Sequence, residues 1–398
     1  MPFELHRLGL RVAALAAILT LSACGSSQPN HPSANSPTPH ASALPSAASN
    51  SLFVIASGLP GPQLVNSSPG TPTSLEIVDS TGHVHAQTTF QPPPAPMIGN
   101  AAALLQSPVR TAAGAAYFAD NTGQIRRLTP DGTVSMVAKF PLTNSQQELS
   151  YAVSPDGAHL MAIVLSTPPL HVPPPQTIQD PLFVDGGHWS LSLETADAGG
   201  ATSTTLQKDL GTAYPKPTEI VGWDSKGPLA TLNTGLGAQA QPLSAHFFGS
   251  DLGGAALIHL AADGTHLDRI GGSDCLAVDE IADGTVVCGT LANPAFSVRD
   301  ASGNVLWQAS QPTQYGASGP WLSPDGNAIA VQGFVLTRTG AASASRLSGS
   351  ADLVALGWLN AAIVVMATLS GGDISLYSAN GLTLIRSLGV SGVFEGAL

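Results

Sequence analysis

The chain has 398 residues, with 14 basic and 26 acidic side chains and a formal charge of -12. Nucleic acid demands a basic footprint, and charge-driven docking on anionic lipid demands one too, so the composition excludes both. Charged residues are only 10%, against about a quarter in ordinary globular chains, so Ser, Thr, Asn, Gln and Gly must build the surface.

The N-terminus reads as an address. Arg7 and Arg11 precede an apolar run, Val12–Thr20, and Leu21-Ser22-Ala23-Cys24 follows at once. Charge, a short apolar stretch and small residues in that order make a secretory signal. A spanning helix needs about 20 apolar residues, and this run is shorter. Leu-Ser-Ala-Cys resembles the lipobox of bacterial lipoproteins. That resemblance implies cleavage before Cys24, acylation (palmitate included) of Cys24, and an extracytoplasmic chain held to the cell membrane or outer envelope by lipid. The domains expected are a signal over 1–23, a lipidated tether over 24–50 and a folded domain over 51–398. The tether is Ser, Pro, Ala and Asn-rich. It cannot form a core, and as a flexible coil its ends lie on the order of 30 Å apart.

Beyond the tether the apolar residues come in short runs between Gly, Asp, Asn and Pro, with 42 Gly and 32 Pro in the chain. That is the pattern of an all-β chain. One unit recurs: an apolar strand, a turn of Pro-Asp-Gly type, and another apolar strand. It stands at YAVSPDGAHLMAIV (151–164) and PWLSPDGNAIAV (320–331), with looser copies at 220–232, 276–290 and 354–367. A second hairpin alternates with it, at 74–90, 124–140, 256–270, 296–310 and 373–388. Asp-Gly suits these turns because Gly tolerates positive φ and Asp bonds its own backbone.

Two hairpins make a four-stranded unit, and four-stranded units of about 40–50 residues are propeller blades. The repeats predict a β-propeller of seven four-stranded blades, near 52–90, 99–140, 148–208, 218–271, 273–310, 317–347 and 351–389. Val393–Leu398 has no blade of its own and is expected to complete the first, closing the ring by sharing strands between the termini. Six or eight blades, or a pair of β-sandwiches, are the competing arrangements. AAYFADNTGQIRRLTPDGTVSMVAKF (115–140) resembles an NHL repeat, and the Ser-Pro-Asp-Gly copies at 154–157 and 323–326 resemble TolB and WD40-like repeats. This resemblance implies the fold and leaves function open, because such repeats serve scaffolds, binding proteins and enzymes alike.

Candidate site residues fall in three groups. Cys275 and Cys288 sit on the two strands of one hairpin. Export permits a disulfide between them, worth on the order of 3 kcal/mol in the chain-entropy model; two buried free thiols are the alternative. Glu148, Glu219, Asp274 and Asp352 each open the strand before an Asp-Gly-type turn. Placed on one rim, they would suit Ca²⁺ or another hard cation; otherwise they are solvated loop ends. Two insertions, 167–189 and 233–254, fall between the second and third strands of adjacent blades and should rise from the same face. They carry His171, Phe183, His188, Trp189, His246, Phe247 and Phe248, a possible ligand face; covering apolar blade edges is the plainer role.

No G-x-S-x-G elbow, Walker loop, dinucleotide fingerprint or EF-hand loop occurs. The expectation is therefore a monomeric binding or scaffold propeller for an envelope protein, a peptide or a glycan. A lactonase-like hydrolase with a central divalent cation is the alternative.

Overall fold

The structure is a computed structural model. It describes residues 51–58, 72–94, 97–98, 101–102, 107–168, 187–212, 218–232, 256–280, 283–289, 295–310, 320–339, 344–348, 352–368 and 372–398. The signal, Cys24, the tether, His171, Phe183 and His246–Phe248 lie outside these residues. No helix occurs among the described residues, and none is long and apolar enough to cross a membrane.

Seven four-stranded antiparallel sheets follow one another along the chain, with one two-stranded ribbon between the first two. The protein is a seven-bladed β-propeller. Blade 1 takes Leu52–Ser57, Thr73–Asp79 and Val84–Phe90 from the N-terminal end, and its innermost strand is Val393–Ala397. The closing register pairs Phe53 with Ala397 and Ala56 with Val393. Blades 2 to 7 occupy 109–139, 147–211, 218–269, 277–310, 321–348 and 353–387. Their innermost strands are Val109–Ala112, Gln147–Val153, Thr218–Trp223, Ala277–Glu280, Trp321–Leu322 and Leu353–Asn360.

Alternation along the strands explains how the blades stack. Successive side chains point to opposite faces of a sheet, and each blade has a neighbour on both faces. Phe53 and Ile55 pack against blade 7, whereas Val54 and Ala56 pack against blade 2. Tyr117 and Ala119 face blade 3, whereas Ala116 and Phe118 face blade 1. Each contact between neighbouring blades holds one apolar cluster. Second strands are therefore apolar at successive positions, as in Ala115–Ala119 and Leu160–Leu165, whereas outer strands alternate, as in Val84–Phe90.

The two Ser-Pro-Asp-Gly turns have the same internal bonding. Ser154 Oγ donates to Asp156 at 2.5 Å and accepts from the His159 amide at 2.9 Å; Ser323 Oγ donates to Asp325 at 2.6 Å and accepts from the Ala328 amide at 2.9 Å. Gly157 and Gly326 take φ of 72° and 70°, a region open to Gly at little cost.

Cys275 and Cys288 are joined by a disulfide with a sequence separation of 13. It lies in the cluster between blades 4 and 5, where it ties the start of blade 5 to that blade's second strand.

Candidate functional site

The innermost strands surround a cavity of about 430 Å³ to which every blade contributes. Trp223 (blade 4), Trp321 (blade 6) and Trp358 (blade 7) line it, with Phe394 from the closing strand. The Trp358 indole N–H donates to the Trp321 carbonyl at 2.9 Å, and the Trp321 indole N–H donates to the Ala355 carbonyl at 3.0 Å. Both rings are thereby fixed across the contact between blades 6 and 7, and what they offer a ligand is carbon surface.

Charge enters from the other side. Arg110 of blade 2 is buried; its Nε donates to the Tyr151 carbonyl at 3.0 Å and its Nη1 to the carbonyls of Ser107 and Val109 at 2.7 Å each. Its guanidinium lies 5.5 Å from the centre of the Tyr151 ring. Burial lowers its pKa and the nearby Glu395 raises it; a guanidinium stays charged in any case. Glu395 of the closing strand accepts from Ser107 Oγ at 2.8 Å. Asp279 of blade 5 accepts the Leu322 amide. Three indoles, a guanidinium and two carboxylates thus converge on one cavity.

Glu148 and Glu219 stand near the start of the inner strands of blades 3 and 4, at the end of the channel from which both insertions depart. Both are buried. Burial first, and then the negative charge of Glu219, push the Glu148 carboxyl well above the ordinary carboxylate range. Glu148 Oε1 has no hydrogen-bond partner among the described residues. The folded chain therefore prefers Glu148 protonated. Its stabilising contribution is complete below the ordinary value of 4.5 and is lost as pH rises through the folded-state value. Glu148→Gln keeps the shape and removes the titration. It is expected to flatten the decline of Tm as pH rises above the ordinary carboxylate range. A decline as steep in the variant as in the parent would contradict this assignment.

The other two acids do not join this pair. Asp274 is 74% exposed and is bound at both oxygens by Arg299, at 2.7 and 3.1 Å; that bond holds its carboxyl below the ordinary range. The guanidinium on blade 5 draws it away from the channel. Asp352 is exposed just before the inner strand of blade 7. The expected four-acid rim is corrected to a two-glutamate pair. Ca²⁺ takes six to eight oxygens, and this donor set does not fit it.

The insertions begin where expected, after Ser166 and after Leu232. His188 is exposed and meets Asp209 at 2.8 Å. Trp189 is buried at 1% exposure. It is core rather than ligand face, because it opens the third strand of blade 3 and packs inward. A further polar group, not foreseen from the sequence, lies in blade 4. His259 is buried, with Nε2 2.9 Å from Asp224 and Nδ1 against Asp268.

Fold and channel define a seven-bladed propeller with an aromatic, charge-bearing cavity on its axis. No protein-family model matches the chain, and no curated protein matches it. Among solved structures it is similar to the dihydro-heme d1 dehydrogenase NirN in complex with DHE, at 14% identity and TM-score 0.44, over 88% of this chain and 75% of that one. It is similar to an oligogalacturonate lyase in complex with manganese, at 11% identity and TM-score 0.45, over 82% and 89%. It is also similar to apo AztD from Citrobacter koseri, at 8% identity and TM-score 0.46, over 88% and 98%. Likenesses of this degree carry no argument about chemistry.

Proposed function

We propose that the chain is a lipid-tethered, extracytoplasmic binding propeller that takes a small polar ligand, a short glycan or the end of a peptide, into its central channel. The observation that carries this reading is the 430 Å³ cavity, within the range of small-molecule sites. Its wall pairs apolar indole surface with the fixed charges of Arg110, Glu395 and Asp279. Aromatic surface gives contact area, and a few placed polar groups give orientation. The signal, the lipobox and the tether support an address outside the cytoplasm.

Three of the chain's five tryptophans line the cavity, so occupancy should alter intrinsic tryptophan fluorescence. Titrating detergent-purified full chain with short oligosaccharides and short peptides is expected to give saturable changes with one of the two classes. Trp223→Ala should weaken that binding about tenfold or more, in line with loss of an aromatic anchor, while the protein stays folded. Saturable binding that Trp223→Ala leaves untouched would overturn the site, and no saturable response with either class would overturn the reading. For the anchor, labelling with a palmitate analogue should mark the parent protein and not Cys24→Ser, which should leave the membrane fraction. An unlabelled parent would contradict the lipid.

A further inference from the structure

One group on the rim of blade 1 is not used by the channel. The turn from Thr73–Asp79 to Val84–Phe90 is built on Asp79. Its Oδ1 accepts from the Thr81 amide at 2.8 Å, from Thr81 Oγ1 at 2.6 Å and from the His83 amide at 3.1 Å. Its Oδ2 points the other way, 3.0 Å from His85 Nε2 and 3.9 Å from His83 Nδ1. One ligand atom from each of the three residues lies within 4.8 Å of the others. The two imidazoles stand edge to face, with centres 4.9 Å apart.

The same turn elsewhere in the molecule supplies an internal control. In blade 2, Asp120 Oδ1 accepts from the Thr122 amide at 2.9 Å, from Thr122 Oγ1 at 2.7 Å and from the Gln124 amide at 3.1 Å. Its outer oxygen is met by Arg126 at 3.2 Å, six residues on, the position that His85 holds in blade 1. In blade 5, Asp300 gives its outer oxygen to the Asn304 side chain at 2.8 Å. A single arginine or amide therefore suffices to complete this turn. Blade 1 instead places two imidazoles around that oxygen, and the turn has no structural need of the second.

We propose that Asp79, His83 and His85 form a surface site for a borderline divalent metal ion such as Zn²⁺, with the remaining coordination position open to water. Two imidazoles and a carboxylate suit zinc, copper or nickel rather than calcium. Ligands about 2.1 Å from a tetrahedral zinc stand about 3.4 Å apart, and the observed separations of 3.0 and 3.9 Å bracket that value. The bonds to Oδ1 hold the carboxylate in place, so loading asks only for small movements of the imidazoles. His83 and His85 are 70% and 36% exposed, which gives the ion an entry path.

The test titrates the purified full chain with Zn²⁺ against a chromophoric chelator, beside His83→Ala, His85→Ala and His85→Arg. The last copies Arg126 and should leave the turn folded. The parent is expected to bind one equivalent of Zn²⁺ that all three variants lose or bind about tenfold or more weakly. Zn²⁺ should also raise Tm of the parent alone, since a ligand that binds only the folded state stabilises it. Excess Ca²⁺ should not compete. Equal zinc binding in the parent and His85→Arg would overturn the proposal, as would a parent that binds none, or displacement by Ca²⁺.

Discussion

Deleting residues 393–398 is expected to abolish the single cooperative unfolding transition and leave an aggregating protein. These residues form the innermost strand of a blade whose other strands lie more than 300 positions earlier; Leu398 donates its amide to the Leu52 carbonyl at 2.9 Å. Phe394 is buried against Phe53, with ring centres 5.9 Å apart. Burying one such side chain contributes about 1.5–3 kcal/mol, a large part of a total stability of about 5–15 kcal/mol. The deletion also removes Glu395, the acceptor of Ser107 beside buried Arg110. It leaves Leu52–Ser57 as an open apolar edge, a template for pairing with other chains. Urea unfolding with size-exclusion chromatography checks this. A monomer with an unchanged urea midpoint would show that the ring does not depend on its closing strand.

Trp307→Ala should be the most damaging single substitution outside the channel, at about 3–5 kcal/mol. Trp307 sits on the outer strand of blade 5, fully buried among Phe296, Val298, Leu322 and Ile329. Its indole N–H donates to the Gly326 carbonyl at 2.8 Å, inside the Ser-Pro-Asp-Gly turn of blade 6. One side chain thus fills the gap between two blades and satisfies a turn carbonyl. Trp307→Phe keeps most of the volume and removes the donor, so it should cost about 1–3 kcal/mol. Equilibrium denaturation of both variants separates the two contributions. Equal losses would mean that the hydrogen bond, not the packing, dominates.

The blades were legible because their turns are chemically marked. Ser154-Pro155-Asp156-Gly157 and Ser323-Pro324-Asp325-Gly326 must hold positive-φ glycines and Asp-bonded amides, and the sequence announces both. The closing strand was legible for a similar reason: Val393–Leu398 reads as a strand without a partner. The acids were harder. The start of an inner strand says which rim a residue is near, not whether a cation stands beside it, and Arg299 decided the fate of Asp274 from another strand. The channel tryptophans did carry a signal. Trp223, Trp321 and Trp358 each stand four or five positions before the end of the first turn of the repeat, at Gly227, Gly326 and Ala362, so aligning the blades by their turns would have brought the three close to one level. Arg110 and Glu395 carried none, since their meeting depends on closure between the chain's two ends. The Asp79 site was equally hidden: His-Val-His becomes a ligand pair only when the Asp turn before it folds back.

The closed ring is the claim on which the channel rests, and a cross-link tests it most directly. Ala56 and Val393 are register partners across the closing pair. Antiparallel partners stand about 4.5–5.5 Å apart at Cα, within disulfide range. The double variant Ala56→Cys/Val393→Cys, oxidised mildly while folded and mapped by peptide mass spectrometry, is expected to yield one peptide pair linking the two ends of the domain in monomeric protein. If those two cysteines stay free while Cys275 and Cys288 remain bonded, the ends do not meet and the ring is not closed.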